Sequence, residues 1–228
     1  MDKRITIITG NAGSGKTEFA LQYALWQKNF YEKINLVDLD VINVYYRSRE
    51  NIDFLEKNNI KMWGSGDFSF DNSDLPNVSY GFESLLKENV ADKVIIDLAG
   101  TENGLKLLMA LNNKDFLYDL WFVCNVYREE TESVEKIIDL LDKYEKFSGF
   151  KITGLINNSN FLENTKEEDI IFGEEILEKV SKIKGLPIEY TMTILVNLRN
   201  KLINKNILYI EKLHNSQNWL RRKENGKG

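Results

Sequence analysis

Short apolar runs alternate along the chain with longer amphipathic stretches. The runs are rich in β-branched residues and predict buried strands at residues 5–9, 34–38, 60–63, 93–97, 120–125 and 150–157. The stretches carry apolar residues at helical spacing and predict helices at residues 18–26, 52–58, 80–90, 105–111, 131–147 and 166–184. This alternation predicts an α/β fold, in which a mostly parallel sheet is covered by helices on both faces.

The chain shows no internal repeat, low-complexity tract or linker, so a single domain is expected over residues 1–228. Its core is expected at about 1–191, followed by a helical tail at about 192–228. Residues 64–79 are polar and contain glycine, which predicts a long flap. The tail carries apolar residues and a basic stretch, as membrane-surface helices do. Polar residues at 214–218 interrupt that pattern, so a helix docked on its own domain is expected instead.

The most specific motif lies between the first predicted strand and the first predicted helix. It fits G-x-x-x-x-G-K-[ST], the phosphate-binding P-loop, and consists of Gly10, Asn11, Ala12, Gly13, Ser14, Gly15, Lys16 and Thr17. Glycines let backbone N–H groups point at an anion, and the N-terminus of the next helix adds partial positive charge. Lys16 is expected to act in catalysis at the terminal phosphates of a nucleotide, and Thr17 to bind Mg²⁺. The strand–loop–helix context disfavours an ordinary glycine turn.

Acidic residues end two predicted strands, at the sheet edge where ligands of parallel sheets bind. Asp97 is placed like the Walker B aspartate that holds Mg²⁺, and Gly100 is expected to offer its N–H group to a phosphate. Asp38 is expected in the magnesium shell, and Asp40 is expected to orient the attacking water as a catalytic residue. The alternatives are a helix cap at Asp97 and a solvated strand–loop junction at 38–40.

Two further strand ends carry amides. Asn157 and Asn158 are expected to hydrogen-bond the edge of a purine base, although asparagines at strand ends also form turns. No guanine-specific Asn-Lys-x-Asp sequence is present in the chain, which favours adenine. The segment 125–128 (Asn-Val-Tyr-Arg) follows another strand and is a weaker candidate for the same edge.

Composition excludes several classes of function. The chain has 228 residues, 43% of them hydrophobic and 29% charged, with a net charge of −5, which argues against a general nucleic-acid or anionic-membrane surface. It contains one cysteine and one histidine, so neither a disulfide framework nor a metal site of Cys or His ligands is expected. Without a signal peptide or an apolar run long enough to span a bilayer, the cytoplasm is the expected location.

These motifs together resemble the MinD/ParA/CobQ-type P-loop ATPases over residues 1–191. The resemblance rests on the loop at 10–17 and on the strand ends at 38–40, 96–100 and 155–158. Residues 38–50 are similar to a bacterial branch of that family whose members are described only as nucleotide-binding proteins. The resemblance implies binding of ATP and Mg²⁺, slow hydrolysis and, in many members, ATP-dependent dimerisation.

One position departs from the family pattern. The family carries a lysine early in the loop that reaches across a dimer to the partner's nucleotide, and Asn11 stands at that position here. Because an asparagine cannot supply the charge, the departure argues against a sandwich dimer with hydrolysis assisted by the partner. Arg47 or Arg49 is a candidate replacement cation, and solvated loop arginines are the plainer interpretation.

Four functions can be weighed against these observations. The favoured one is an ATP-dependent switch for a protein partner, in which ATP is hydrolysed slowly. The alternative is an ATP-dependent small-molecule kinase or synthetase, with residues 64–79 as a substrate flap. DNA partitioning is disfavoured by the net charge of −5, and metal-centre maturation by the lack of Cys or His clusters.

Overall fold

The computed structural model describes residues 3–39, 49–64, 85–86, 92–111, 116–195, 198 and 200–211. The strands in this part of the chain are β1 Ile5–Thr9, β2 Ile34–Asp38, β3 Ile60–Trp63, β4 Lys93–Asp97, β5 Tyr118–Cys124, β6 Gly154–Asn157, β7 Ile188–Thr193 and β8 Ile207–Tyr209. The α-helices are α1 Lys16–Gln27, α2 Arg49–Lys57, α3 Glu102–Leu111, α4 Val134–Ser148 and α5 Glu167–Lys184.

All eight strands form one parallel sheet in the order β3-β2-β4-β1-β5-β6-β7-β8. One face packs against α3, α4 and α5, and the other face packs against α1 and α2. The predicted α/β class is therefore confirmed, with a parallel sheet and helices on both faces. Strand β1 lies between β4 and β5, so the loop that follows it opens at the middle of the carboxyl edge.

Aromatic packing fixes helix α1 on the sheet. Phe19 and Tyr23 on the helix are buried against Trp121 of β5 and Tyr190 of β7. The rings of Tyr23 and Trp121 meet edge to face at 5.0 Å, and those of Phe19 and Trp121 at 6.4 Å. Such pairs add to the gain from burying their area. The position of the first turn of α1, which begins at Lys16, therefore follows from packing further along the helix.

The C-terminal part of the sheet differs from the predictions. Strands β7 and β8 were not predicted, and β8 lies where a helical tail is expected, so that expectation is wrong for residues 207–209. Strand β6 begins at Gly154 rather than at residue 150, because Phe150 and Ile152 are buried in the core without joining the sheet. The predicted flap beyond Gly64, the helix at 80–90 apart from residues 85–86, and the tail beyond residue 211 lie outside the described residues.

The single cysteine of the chain lies inside the sheet. Cys124 ends β5 and is fully buried, and this burial raises the pKa of its thiol well above the usual value. Over the ranges that the structure describes, no helix combines the length and apolarity that crossing a bilayer requires.

Strand β8 is held in place by a buried carboxylate on α5. Glu174 accepts the backbone N–H groups of Ile203 at 2.8 Å and Asn204 at 2.7 Å, one on each oxygen. The side chain is buried, so these charge-assisted bonds replace its hydration. The chain that leads into β8 therefore depends on α5.

We expect Glu174→Gln to lower the free energy of unfolding by about 1–3 kcal/mol, because the new amide donor faces a backbone N–H that has lost its acceptor. Urea unfolding monitored by circular dichroism measures this loss. Glu175→Gln on the exposed side of the same helix is the matched control. Equal stability of the two variants would contradict the anchoring role of Glu174.

Candidate phosphate-binding site

The loop at residues 10–17 joins β1 to α1 and turns sharply. Gly13 and Gly15 have positive φ angles of 72° and 84°, a conformation that side chains rarely adopt. The N–H of Ser14 donates to the carbonyl of Asn11 at 3.3 Å, and α1 begins directly after Gly15. The glycines predicted to shape the loop therefore stand where the backbone requires them.

Neighbouring strand ends hold the loop from behind. A Cβ atom on Gly100 would lie 1.7 Å from the carbonyl oxygen of Gly10, and one on Gly10 would lie 2.6 Å from the carbonyl oxygen of Val123. Asn158 donates from Nδ2 to the carbonyl of Ser14 at 2.8 Å. These contacts hold the carbonyls of Gly10 and Ser14 against the protein.

Two buried polar atoms of the loop are available to a ligand. Oδ1 of Asn11 and Oγ of Ser14 have no hydrogen-bond partner within the part of the chain that the structure describes. Buried polar atoms are normally paired, and an unmet one calls for an explanation such as an unseen water, ion or ligand. The Ser14 hydroxyl can donate to an anion, as can Lys16 and the N-terminus of α1, whereas Oδ1 of Asn11 can only accept, for example from a water molecule.

The structure brings the two predicted metal-binding acids together. Asp38 and Asp97 are register partners on the adjacent parallel strands β2 and β4, and they are only 3% and 0% exposed. Strand alternation places both side chains on the face covered by α1, where Ile8 and Ile95 also lie. Thr17, in the first turn of that helix, is buried as well. The arrangement suits a divalent cation at the base of the loop.

Protein groups alone do not complete a metal site there. Among the described residues there is no cluster of three or more His, Cys, Asp or Glu side chains able to hold a metal ion. Mg²⁺ is usually held by one or two carboxylates together with phosphate oxygens and water rather than by an all-protein cage. The donor set of Thr17, Asp38 and Asp97 fits that pattern.

The predicted base-contacting asparagines differ in their surroundings. Asn157 is fully buried, donates from Nδ2 to the carbonyl of Ile170 at 3.1 Å and accepts the N–H of Ser159 at 3.1 Å. These bonds occupy its amide within the protein. Asn158 supports the loop through Ser14, and its Oδ1 accepts from Asn160 at 3.2 Å. A contact of either residue with a base stays a prediction.

A small apolar recess, with a volume of about 20 Å³, opens beside Asn158 at the carboxyl ends of β6 and β7. It is lined mainly by apolar side chains with a few amide and hydroxyl groups, contributed by Asn158, Asn160, Leu162, Thr165, Ile170, Met192, Thr193, Ile194 and Ile210. Ligand pockets commonly combine apolar walls with a small number of polar groups in this way. The recess lies at the edge of the sheet that also carries the loop.

Segment 125–131, which we call the clasp, contacts the loop in a way that the sequence did not predict. Arg128 donates from Nε to the carbonyl of Gly13 at 3.0 Å, and Asn11 donates from Nδ2 to Glu130 at 3.2 Å. Of the clasp, only residues 125–128 are a candidate for this edge from the sequence, a weaker one than Asn157, and their position after a strand end is the only signal. Asp40 and Arg47 lie outside the described residues, and Arg49 begins α2.

Comparison with solved structures identifies the fold. The chain is 18% identical to the cell division protein FtsY from Thermotoga maritima, with a TM-score of 0.52 over 84% of this chain and 62% of FtsY. It therefore spans less than two thirds of that protein. A proposed plasmid partition protein from Borrelia burgdorferi, bound to AMPPNP, is 17% identical with a TM-score of 0.50 over 97% of this chain and 100% of its own.

The 54 kDa protein of the signal recognition particle from Aeropyrum pernix, in complex with GDP, gives a TM-score of 0.52 at 16% identity, over 82% of this chain and 40% of its own. No family model matches the chain, and no curated protein matches it. At these identities the likeness defines the fold alone, which is that of the P-loop NTPases. Membership of the MinD/ParA/CobQ branch stays a prediction.

We expect Gly100→Ala to lower the free energy of unfolding by about 3 kcal/mol, because its methyl group meets the backbone of the loop. Gly185→Ala is the control, since a Cβ there meets no atom within 4 Å and costs only the strain of its positive φ. That strain is about 1–2 kcal/mol. Calorimetric unfolding of both variants measures the difference, and equal losses would show that the contact between Gly100 and Gly10 is relaxed at little cost.

Proposed function

We propose that this protein binds ATP with Mg²⁺ at the loop of residues 10–17 and hydrolyses it slowly as a switch for a protein partner. One observation carries the proposal. The buried, register-paired carboxylates of Asp38 and Asp97 face the helix that begins at Lys16, at the base of a loop with unmet polar atoms. Two adjacent acids in such a place favour a cation between them and a bound polyphosphate.

The chain supplies distinct groups to each part of the ligand. Loop N–H groups and the N-terminus of α1 would cradle the phosphates, and Lys16 would neutralise the terminal ones. Thr17 and Asp97 would hold Mg²⁺, with Asp38 in its outer shell. When bound, the metal neutralises charge on the phosphate oxygens during transfer. Asp40 is proposed to orient the attacking water.

The base is proposed to lie over the small recess beside Asn158, which is itself too small to enclose a purine. The apolar side chains that line the recess would contact one face of the ring, while Asn158, Asn160 and Thr193 provide polar edges. Adenine is favoured because the guanine-specific Asn-Lys-x-Asp sequence is absent from the chain. One of the similar structures holds AMPPNP and another holds GDP, so the test has to compare the two bases.

The surroundings of Asn11 favour a switch that needs no lysine from a second copy of the chain. Asn11 is 5% exposed and bonded to Glu130 of its own chain. We therefore propose that closure over the terminal phosphate occurs within one chain and that a partner recognises the closed state. The small-molecule kinase or synthetase remains a hypothesis, because the segment proposed as its flap lies outside the described residues beyond Gly64.

We expect Lys16→Ala to weaken ATP binding about tenfold or more, because the variant loses the attraction between the lysine ammonium and the phosphates. A loss of about 1.4 kcal/mol in binding free energy raises the dissociation constant tenfold. Isothermal titration of ATP and GTP in the presence of Mg²⁺ measures the affinities. Lys57→Ala, an exposed lysine on α2, is the matched control and should bind as wild type does. A wild-type protein that binds neither nucleotide, or a Lys16→Ala protein that binds equally well, would refute the proposal.

Asp97→Asn tests the metal separately. We expect wild-type protein to bind ATP more tightly with Mg²⁺ than with EDTA, and the variant to lose most of that gain because its amide is a poorer magnesium ligand. The same titration with and without Mg²⁺ measures it. Asp139→Asn, exposed on α4, should keep the full gain. An unchanged gain in Asp97→Asn would remove this residue from the metal site.

A further inference from the structure

The guanidinium of Arg128 lies against Gly13 of the phosphate loop. Its Nε donates to the carbonyl of Gly13 at 3.0 Å, and a Cβ atom on Gly13 would lie 3.4 Å from the same nitrogen. An arginine has five N–H groups, of which this bond uses one. Within the described part of the chain the guanidinium makes no other hydrogen bond or ion pair, and its terminal amino groups lie beside the loop.

The backbone that carries Arg128 is fixed by its own contacts. The N–H of Arg128 donates to the carbonyl of Asn125 at 3.0 Å, and Thr131 Oγ1 donates to that same carbonyl at 2.7 Å. Asn125 is buried and reaches the carbonyl of Asn160 from Nδ2 at 3.2 Å. The arginine is therefore exposed to solvent but presented from a pinned turn.

The clasp also restrains the loop at the position of the missing lysine. Asn11 is bonded to Glu130, which lies in the same short 3₁₀ turn that follows Arg128. The loop is thus held between Glu130 at residue 11 and Arg128 at residue 13. Asn11 carries no charge, but Arg128 of the same chain places a positive charge next to the loop at Gly13.

We propose that Arg128 is a catalytic cation supplied in cis, which contacts the terminal phosphoryl group of bound ATP. This inference rests on the proposed function. Attack of water on the γ-phosphorus breaks its bond to the β–γ bridging oxygen and yields ADP, inorganic phosphate and a proton. Negative charge builds up on that bridging oxygen and on the transferring group, and a planar guanidinium neutralises such charge well. Arginines in this role are worth on the order of 10³–10⁵ in turnover.

A purely structural role for Arg128 makes a different prediction. If the arginine only held the carbonyl of Gly13, its loss would weaken the binding of ADP and of a transition-state mimic by the same factor. If it contacts the transferring phosphoryl group, its loss would weaken the mimic selectively, because ADP lacks that group.

The test measures the affinity of ADP alone and of ADP with aluminium fluoride, both with Mg²⁺, by displacement of a fluorescent nucleotide. The readout is the ratio of the two dissociation constants. We expect Arg128→Ala to reduce the preference for the fluoride complex by about tenfold or more, and Lys143→Ala, an exposed cation on α4, to leave it unchanged. A smaller reduction in Arg128→Ala overturns the proposal.

The two levels of inference fail separately in this experiment. Wild-type protein that does not bind ADP, or a Lys16→Ala protein that binds it as well as wild type, refutes nucleotide binding at the loop. Binding that depends on Lys16, together with an unchanged ratio in Arg128→Ala, leaves the nucleotide site intact and removes Arg128 from it. Because the measurement uses binding alone, it does not require measurable turnover.

Discussion

The phosphate loop depends on being pressed against its neighbours before any ligand arrives. Gly100 approaches the carbonyl of Gly10 so closely that no side chain fits between them, and Asn158 and Arg128 each hold a further loop carbonyl. Carbonyl oxygens would repel an anion, so tying them to the protein serves the same end as aiming the N–H groups inward. Such preorganisation removes the cost of ordering the loop when it binds.

Burying two carboxylates side by side at the sheet edge lowers the stability of the fold. Asp38 and Asp97 lie side by side and away from water, and like charges in such a place oppose each other. Functional sites commonly retain arrangements of this kind at the expense of stability. The aromatic packing of α1 around Tyr23 and Trp121 supplies compensating burial on the same face of the sheet.

The sequence predicts the features of this structure that depend on neighbouring residues, and it does not predict contacts between residues far apart in the chain. Six strand positions followed from β-branched runs, and the loop followed from its glycines and Lys16. Strand β7 was missed although Glu189, Thr191 and Thr193 alternate with apolar residues, a pattern typical of a strand, because the strand predictions relied on continuous apolar runs. The contact of Arg128 with Gly13 joins residues 115 positions apart, and no periodicity encodes it. Asn157 is predicted to contact a base, and its bonds with the carbonyl of Ile170 and the N–H of Ser159 depend on packing that no sequence pattern encodes.

Chemical labelling of the buried Cys124 thiol can measure how often the sheet opens to solvent. It is the one cysteine in the sequence and ends β5, next to the central strand β1. Thiol reagents attack the thiolate, and burial both blocks access and raises the pKa of this group. The rate of labelling in native buffer therefore reports how often the middle of the sheet separates. A ligand that tightens the neighbouring loop would slow that rate, even where the ligand itself is spectroscopically silent.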